Sequence, residues 1–215
     1  MGESAESVVR RSHARSNRAR ILAVARQEFG ANPEVTLDEI ARAAGVVRRT
    51  LYGHFNGRAA LLEALADEAS QALRDALAVA TAPTRPVEGP ERSLARLVVG
   101  IWQVGDRYRV LLSLALQDLG VERVEELLRP ARHAVVAAVE RGQDAGVFHR
   151  HLPAAVLGSA LEALTLALLE AVNAGAWEDP AGTATATETL IALGVPTETA
   201  ADVARDVSTV DGPAR

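Results

Sequence analysis

The sequence predicts an all-α protein, and three observations carry that prediction. Apolar residues recur at three- and four-residue spacing along most of the chain, as in Leu61, Leu62, Leu65, Ala69, Leu73, Ala76 and Leu77, and no stretch reads as a strand. Gly and Pro gather in short segments between these stripes, most clearly in TAPTRPVEGP at 81–90, where no helix survives. Aromatic residues are 3% of a chain that is 48% hydrophobic, so the core must be Ala, Leu and Val, which favours close-packed helices. A length of 215 residues allows one large or two small domains. About nine or ten helices are expected, with no internal repeat and no coiled-coil heptads.

Residues 1–15 read as a basic, disordered arm, with Arg10, Arg11 and Arg15 in it and Arg18 and Arg20 just beyond. The first firm helix spans about Asn17 to Phe29; Ile21, Leu22, Ala25 and Phe29 form its stripe, and Gly30 with Asn32-Pro33 ends it. Two short helices around a tight turn follow between Thr36 and Phe55. Thr36 caps the first, and Glu39 completes a capping box. Leu37, Ile40, Ala41 and Ala44 share its apolar face, and Gly45, lacking a Cβ, supplies the left-handed turn. The second runs from about Val47 to His54, with Leu51 and Phe55 inward. A fourth helix, capped by Asn56, reaches about Ala80 and, at ~1.5 Å per residue, is long enough to join two domains.

Beyond the proline-rich break, helices are expected over about Glu91–Gly105 and Asp106–Leu119. Val121–Asp144 is helical again, and Pro130 predicts a kink or break. Pro153 opens the most apolar helix, in which only Ser159, Glu162, Thr165 and Glu170 are clearly polar before Val172. It approaches the ~20 residues of a membrane span, but its two carboxylates argue against one. A helix apolar nearly all round must be covered on several sides, so a second subunit is expected, with Leu157, Leu161, Leu164, Leu168 and Leu190 as interface candidates. A helix at about Ala184–Leu193 follows, and residues 196–215 read as a C-terminal tail with a short helical segment near Glu198–Val207.

The helix pair is where chemistry concentrates. Arg48, Arg49, Thr50, Tyr52 and His54 point outward from its second helix, an arrangement suited to a DNA major groove. An ordinary helical hairpin with a solvated basic face is the other reading. Charge supports the first. The net charge is −5, yet residues 1–58 hold ten Arg against six acids, whereas residues 59–215 hold thirteen Arg against twenty-two. An Arg-rich head sits on an acidic body. The arginines of the arm either touch phosphates or a minor groove, or simply keep the tail in solution.

At Arg20-Ile21-Leu22, Phe29, Thr36, Ile40-Ala41, Ala44-Gly45-Val46, Thr50-Leu51-Tyr52, His54-Phe55 and Leu61-Leu62, about 45 contiguous positions, the chain resembles the DNA-binding domain of the TetR (tetracycline-repressor-like) family of bacterial regulators. The resemblance implies a three-helix helix-turn-helix DNA-binding domain over 16–62, joined by the long fourth helix to a helical ligand-binding and dimerisation domain over 63–195. It implies DNA contacts from Thr36, Val47, Arg48, Arg49, Thr50, Tyr52, His54 and Arg58, with Arg48 or Arg49 reading bases, Thr36, Thr50, Tyr52, His54 and Arg58 binding phosphates, and Val47 either loosening the helix start or touching a thymine methyl. Arg58 stands where the family usually has a phosphate-binding Lys. Val47 departs from the family's frequent small hydroxyl and cannot cap its helix. The implied function is a cytoplasmic, homodimeric, ligand-responsive repressor. It binds double-stranded DNA at a near-palindromic operator and is released by a small, largely apolar effector. The rival is a helical small-molecule-binding or protein-interaction module with a non-functional head.

Other chemistries lack support. With no cysteine there is no disulfide or thiolate metal site. His149-Arg150-His151 has no clustered carboxylate or Cys to complete a metal site. No nucleophile elbow, Walker or dinucleotide glycine pattern occurs, so neither an enzyme nor a cofactor is expected. The first residues carry no apolar segment of a signal peptide. Trp102, Tyr108, His133, Phe148 and Glu162 are candidates to line an apolar effector pocket, or else core fillers and satisfied polar groups.

Overall fold

The computed structural model describes residues 2–82 and 88–211, with side chains from Arg15 onward to Thr209. Nine helices and no strand occur among them: α1 (Gly2–Ala31), α2 (Leu37–Ala43), α3 (Arg48–His54), α4 (Arg58–Ala80), α5 (Pro90–Asp118), α6 (Val121–Asp144), α7 (Ala154–Asn173), α8 (Thr183–Ala192) and α9 (Thr197–Asp211). They form two compact units. One holds Met1–Glu68 and Val110–Val124; the other holds Ala69–Arg109 and Glu125–Arg215.

The first unit is the expected head with an addition. Ile21, Leu22, Ala25 and Phe29 of α1, Ile40 and Ala41 of α2, Leu51 of α3, Phe55, and Leu61, Leu62 and Leu65 of α4 are all buried. The added segment is the end of α5 and start of α6, which the domain reading left to the body. Arg123 ties it to α4 by ion pairs to Glu63 at 2.6 Å and Asp67 at 2.8 Å, and Asp118 lies 3.5 Å from Arg58.

The second unit buries one aliphatic core. Leu94, Leu97, Val98 and Val99 of α5 meet Ala138 and Val139 of α6, Leu157 and Leu161 of α7, Ala186 and Leu190 of α8, and Ala200, Ala204 and Val207 of α9. This corrects the tail assignment for 196–211. Three small apolar residues at helical spacing lock α9 onto α8, and all three are fully buried.

Other boundaries also differ from expectation, each for a physical reason. The residues read as a disordered arm continue α1 back to Gly2, because no Gly or Pro interrupts Glu3–Phe29. The helix start moves from Asn56 to Arg58: Gly57, at φ +100°, takes the cap position, and its carbonyl accepts from Leu61 N at 3.2 Å. The two helices expected at 91–119 are one. Gly105 marks a close approach and not a stop, since a Cβ there would sit 3.1 Å from Leu169 Cδ1. Pro130 lies within an unbroken α6, flanked by buried Leu127 and Ala131, whose packing offsets its missing N–H.

Candidate DNA-binding face

Local chemistry sets the geometry of the helix pair. Thr36 caps α2 in an extended conformation, with Glu39 N donating to Thr36 Oγ1 at 3.3 Å. Glu39 Oε2 accepts from Thr36 N at 2.8 Å and from Thr36 Oγ1 at 2.6 Å, which completes the box. Those bonds, the side-chain one first, hold the Glu39 carboxyl below the usual carboxylate range. The turn closes as expected at Gly45, whose φ is +61°. Val46 N donates to Ala41 O at 3.0 Å and Gly45 N to Arg42 O at 3.1 Å, the paired bonds of a Schellman stop.

Helix α3 then leaves with Leu51 as its one buried residue. Val47 occupies the cap position without a side-chain hydrogen bond, as its chemistry requires, and is 70% exposed. Arg48, Arg49 and Tyr52 are exposed beside it, whereas Thr50 and His54 are half-buried. The two arginines differ. Arg48 Nη1 donates to Asp38 Oδ2 of α2 at 2.8 Å, and its guanidinium lies 5.2 Å from the Tyr52 ring centre. Arg49 makes no such contact among the described residues. Thr36 is exposed, but its hydroxyl is committed to the capping box. Arg18 of α1 stacks over Phe55 at 5.4 Å, at the edge of the same unit.

Arg58 departs from its expected role as a free phosphate contact. Nη2 donates to Pro33 O at 2.7 Å and Nη1 to Val35 O at 3.2 Å, Nε faces Asp118, and the guanidinium covers the Phe29 ring at 4.7 Å. The side chain clamps the loop between α1 and α2 and lines a cavity of about 320 Å³ with Glu34, Thr36, Gln117 and Asp118. Nothing in the sequence pointed to this, nor to Asp38 as partner of Arg48, because both contacts join positions ten or more residues apart. Arg10 and Arg11 have side chains outside the described residues.

In the second unit the five pocket candidates differ in burial and in partners. Trp102 is fully buried, donates from Nε1 to Asp179 O at 2.6 Å and meets Trp177 edge-on at 5.8 Å. Tyr108 is buried, and Phe148 is packed so tightly on Gly142 that a methyl there would overlap its ring. Glu162 forms a two-point ion pair with Arg132, at 2.6 and 2.7 Å, which raises that guanidinium's pKa. His133 is exposed. These are core and surface positions. The rings of His149 and His151 stack at 4.8 Å, and both His149 nitrogens are used, Nε2 donating to Ala192 O and Nδ1 accepting from His151 N.

The interface candidates also divide. Leu157, Leu161 and Leu190 are buried within this chain's own core, and Leu164 and Leu168 are half-buried. The face of α7 left open carries Val156, Ala160, Ala163 and Ala167 at alternating four- and three-residue spacing. By length and composition α7 could cross a membrane, yet only 22% of its most apolar window is buried.

Residues 21–65 match the model of a family described as bacterial regulatory proteins, tetR family. TtgW, an uncharacterised HTH-type transcriptional regulator of Pseudomonas putida, is 45% identical over 56 residues, 25% of this chain. That match spans about two-fifths, 42%, of the relative's length. Over nearly whole chains, a solved tetR-family regulatory protein from Rhodococcus RHA1 superposes with a TM-score of 0.67 at 21% identity, covering 84% of this chain and 98% of its own. A γ-butyrolactone receptor (ArpA-like protein) gives 0.70 at 21% identity, covering 93% and 100%, and the fatty acid degradation regulator FadR of Bacillus halodurans gives 0.66 at 20%, covering 82% and 94%. At that identity the structures establish the shared fold. The matched segment coincides with the later part of α1, the capped helix pair and the start of α4, and over that segment the chain is similar to the tetR family of bacterial regulatory proteins.

Proposed function

We propose that the chain is a cytoplasmic, ligand-responsive transcriptional repressor that binds a near-palindromic operator as a homodimer. The observation that carries DNA binding is α3 itself. It buries Leu51 alone and turns Val47, Arg48, Arg49 and Tyr52 outward, at the start of the helix where base edges are met. Two such heads read successive major grooves, ~34 Å apart for half-sites one turn apart. Thr50 and Tyr52 set the docking angle on phosphates.

Dimerisation is supported by the open face of α7. Its alanines let a second helix approach closely, and Glu162 within it is already paired with Arg132, a poor arrangement for lipid. Repression is relieved when the effector binds the DNA-incompetent arrangement more tightly. The effector is small and largely apolar, because the body's buried side chains are mostly aliphatic and its carboxylates Asp179 and Glu162 are engaged by Thr185 and Arg132. The regulators compared above by fold include one named for γ-butyrolactone and one for fatty acid degradation.

Salt-titrated binding to duplex DNA is the test. A duplex from upstream of the gene should bind better than random DNA, and its affinity should fall steeply with salt. Equal binding to all duplexes would leave the rival reading, a helical binding module with an idle head.

A further inference from the structure

We propose that Asp38 is a positioning residue for base recognition: it fixes the direction of the Arg48 guanidinium and so determines the base pair that Arg48 can prefer. The inference rests on the DNA-binding reading above and goes one residue deeper. Asp38 stands in the first turn of α2, ten positions before Arg48 in the first turn of α3, and the ion pair at 2.8 Å spans the turn between the two helices. Among the described residues Arg48 is otherwise held only by the Tyr52 ring, and its side chain is 68% exposed. A free arginine samples many rotamers and reads no particular base; one pinned at both an edge and a face has a defined direction. The contact at Nη1 leaves the Nε–Nη2 edge open, the two-donor edge that matches guanine O6 and N7.

Asp38 is suited to hold that direction. One of its oxygens, Oδ1, is shielded from solvent and has no hydrogen-bond partner among the described residues, so the carboxylate depends on Arg48 through Oδ2. The Asp38 side chain is 43% exposed, so the ion pair biases the Arg48 guanidinium toward this direction by no more than about fivefold, or about 1 kcal/mol. Placing an acid near phosphates weakens binding to every sequence. Its presence there makes sense as a filter on direction, paid in overall affinity.

The test uses the full chain. Selection from a randomised duplex library gives the preferred site, and dissociation constants on that site and on single-pair substitutions give preference per position. Arg48→Ala should lose about tenfold or more preference at one base pair. Asp38→Ala should lose several-fold preference at the same pair, while binding random duplex as well as or better than the unaltered chain. The double variant should show no more loss of preference than Arg48→Ala alone. Asp38→Asn, which keeps the shape without the charge, should show the same pattern if Asp38→Ala folds poorly. Preference unchanged at every pair, with only a lower melting temperature, would make Asp38 purely structural and overturn the proposal. So would additive losses in the double variant. An unaltered chain with no preferred duplex at all would instead overturn the DNA-binding reading beneath it.

Discussion

Arg58→Ala separates two roles for one cation, a DNA phosphate contact or a clamp within the fold. The clamp has four parts: bonds to Pro33 O at 2.7 Å and Val35 O at 3.2 Å, an approach of 3.5 Å to Asp118, and a stack at 4.7 Å over Phe29. A hydrogen bond from a charged donor contributes about 1.5–3 kcal/mol, and because 32% of the Arg58 side chain is exposed the lower end applies to each. The half-exposed ion pair adds no more than about 0.5 kcal/mol, and the stack about 0.5–1 kcal/mol. Truncation should therefore remove about 4 kcal/mol, the two hydrogen bonds contributing most. For a chain of this length that corresponds to a fall of roughly 8–16 °C in melting temperature. Calorimetric or circular-dichroism melts of the unaltered chain, Arg58→Ala and Arg58→Lys read it directly. The lysine variant keeps the charge but lacks the planar fork, so it should recover less than half of the loss. If Arg58→Ala melts within about 2 °C of the unaltered chain while DNA affinity drops, the clamp contributes little and Arg58 is a phosphate ligand after all.

Ala163→Arg and Ala167→Arg place charges on the open face of α7; sedimentation should show a folded monomer, and a persisting dimer would put the interface elsewhere. Leu161→Arg, by contrast, should unfold the second unit, since Leu161 is 6% exposed. The lowered pKa of Glu39 gives a pH dependence whose sign is fixed: its stabilisation is present above the unfolded-state value and is lost as pH falls through the lower folded-state value. Melts stepped into that acid range should show a smaller decline for Glu39→Gln than for the unaltered chain, and identical slopes would remove the capping box from the acid response.

The head was legible because its determinants are local. A cap and its partner stand three residues apart, a glycine takes the one conformation others avoid, and a stripe of three- and four-residue spacing marks the buried side. Each of these signals is written within a turn or two of where it acts. What stayed hidden needs distance. Arg58 reaches carbonyls more than twenty residues back, and Arg123 reaches α4 across sixty. Gly105 looked like a helix stop because a glycine that ends a helix and one that admits a neighbouring Leu169 are the same letter. The pocket candidates carry a related ambiguity. Size suits Trp102 and Phe148 to a pocket wall or to a packed core, and both are buried, with Trp102 Nε1 donating to Asp179 O. The interface leucines divide likewise: hydrophobicity picks out all five, but Leu157, Leu161 and Leu190 fill the chain's own core, Leu164 and Leu168 are half-buried, and alanines face outward.

The open alanine face and the small recognition helix lead to the same requirement. One α3 is seven residues long and, with its cap residue Val47, exposes four side chains, Val47, Arg48, Arg49 and Tyr52. Each base pair read well is worth about 1–3 kcal/mol of discrimination, and specific regulators exceed their non-specific binding by about 4–10 kcal/mol. Not all four side chains can read bases, because Tyr52 packs under Arg48 and some cation must bind phosphate for docking. A single head therefore falls in the lower part of that range at best, and the proposed dimer would bring the contributions of two heads together on one site. Val156, Ala160, Ala163 and Ala167 give α7 an apolar strip narrow enough for another helix to lie close against it, and water is a poor occupant for such a strip. In the proposed dimer the copy that brings the second α3 is also the copy that covers α7, so loss of dimerisation in Ala163→Arg should carry with it the loss of sequence preference while weak, salt-sensitive binding to any duplex persists.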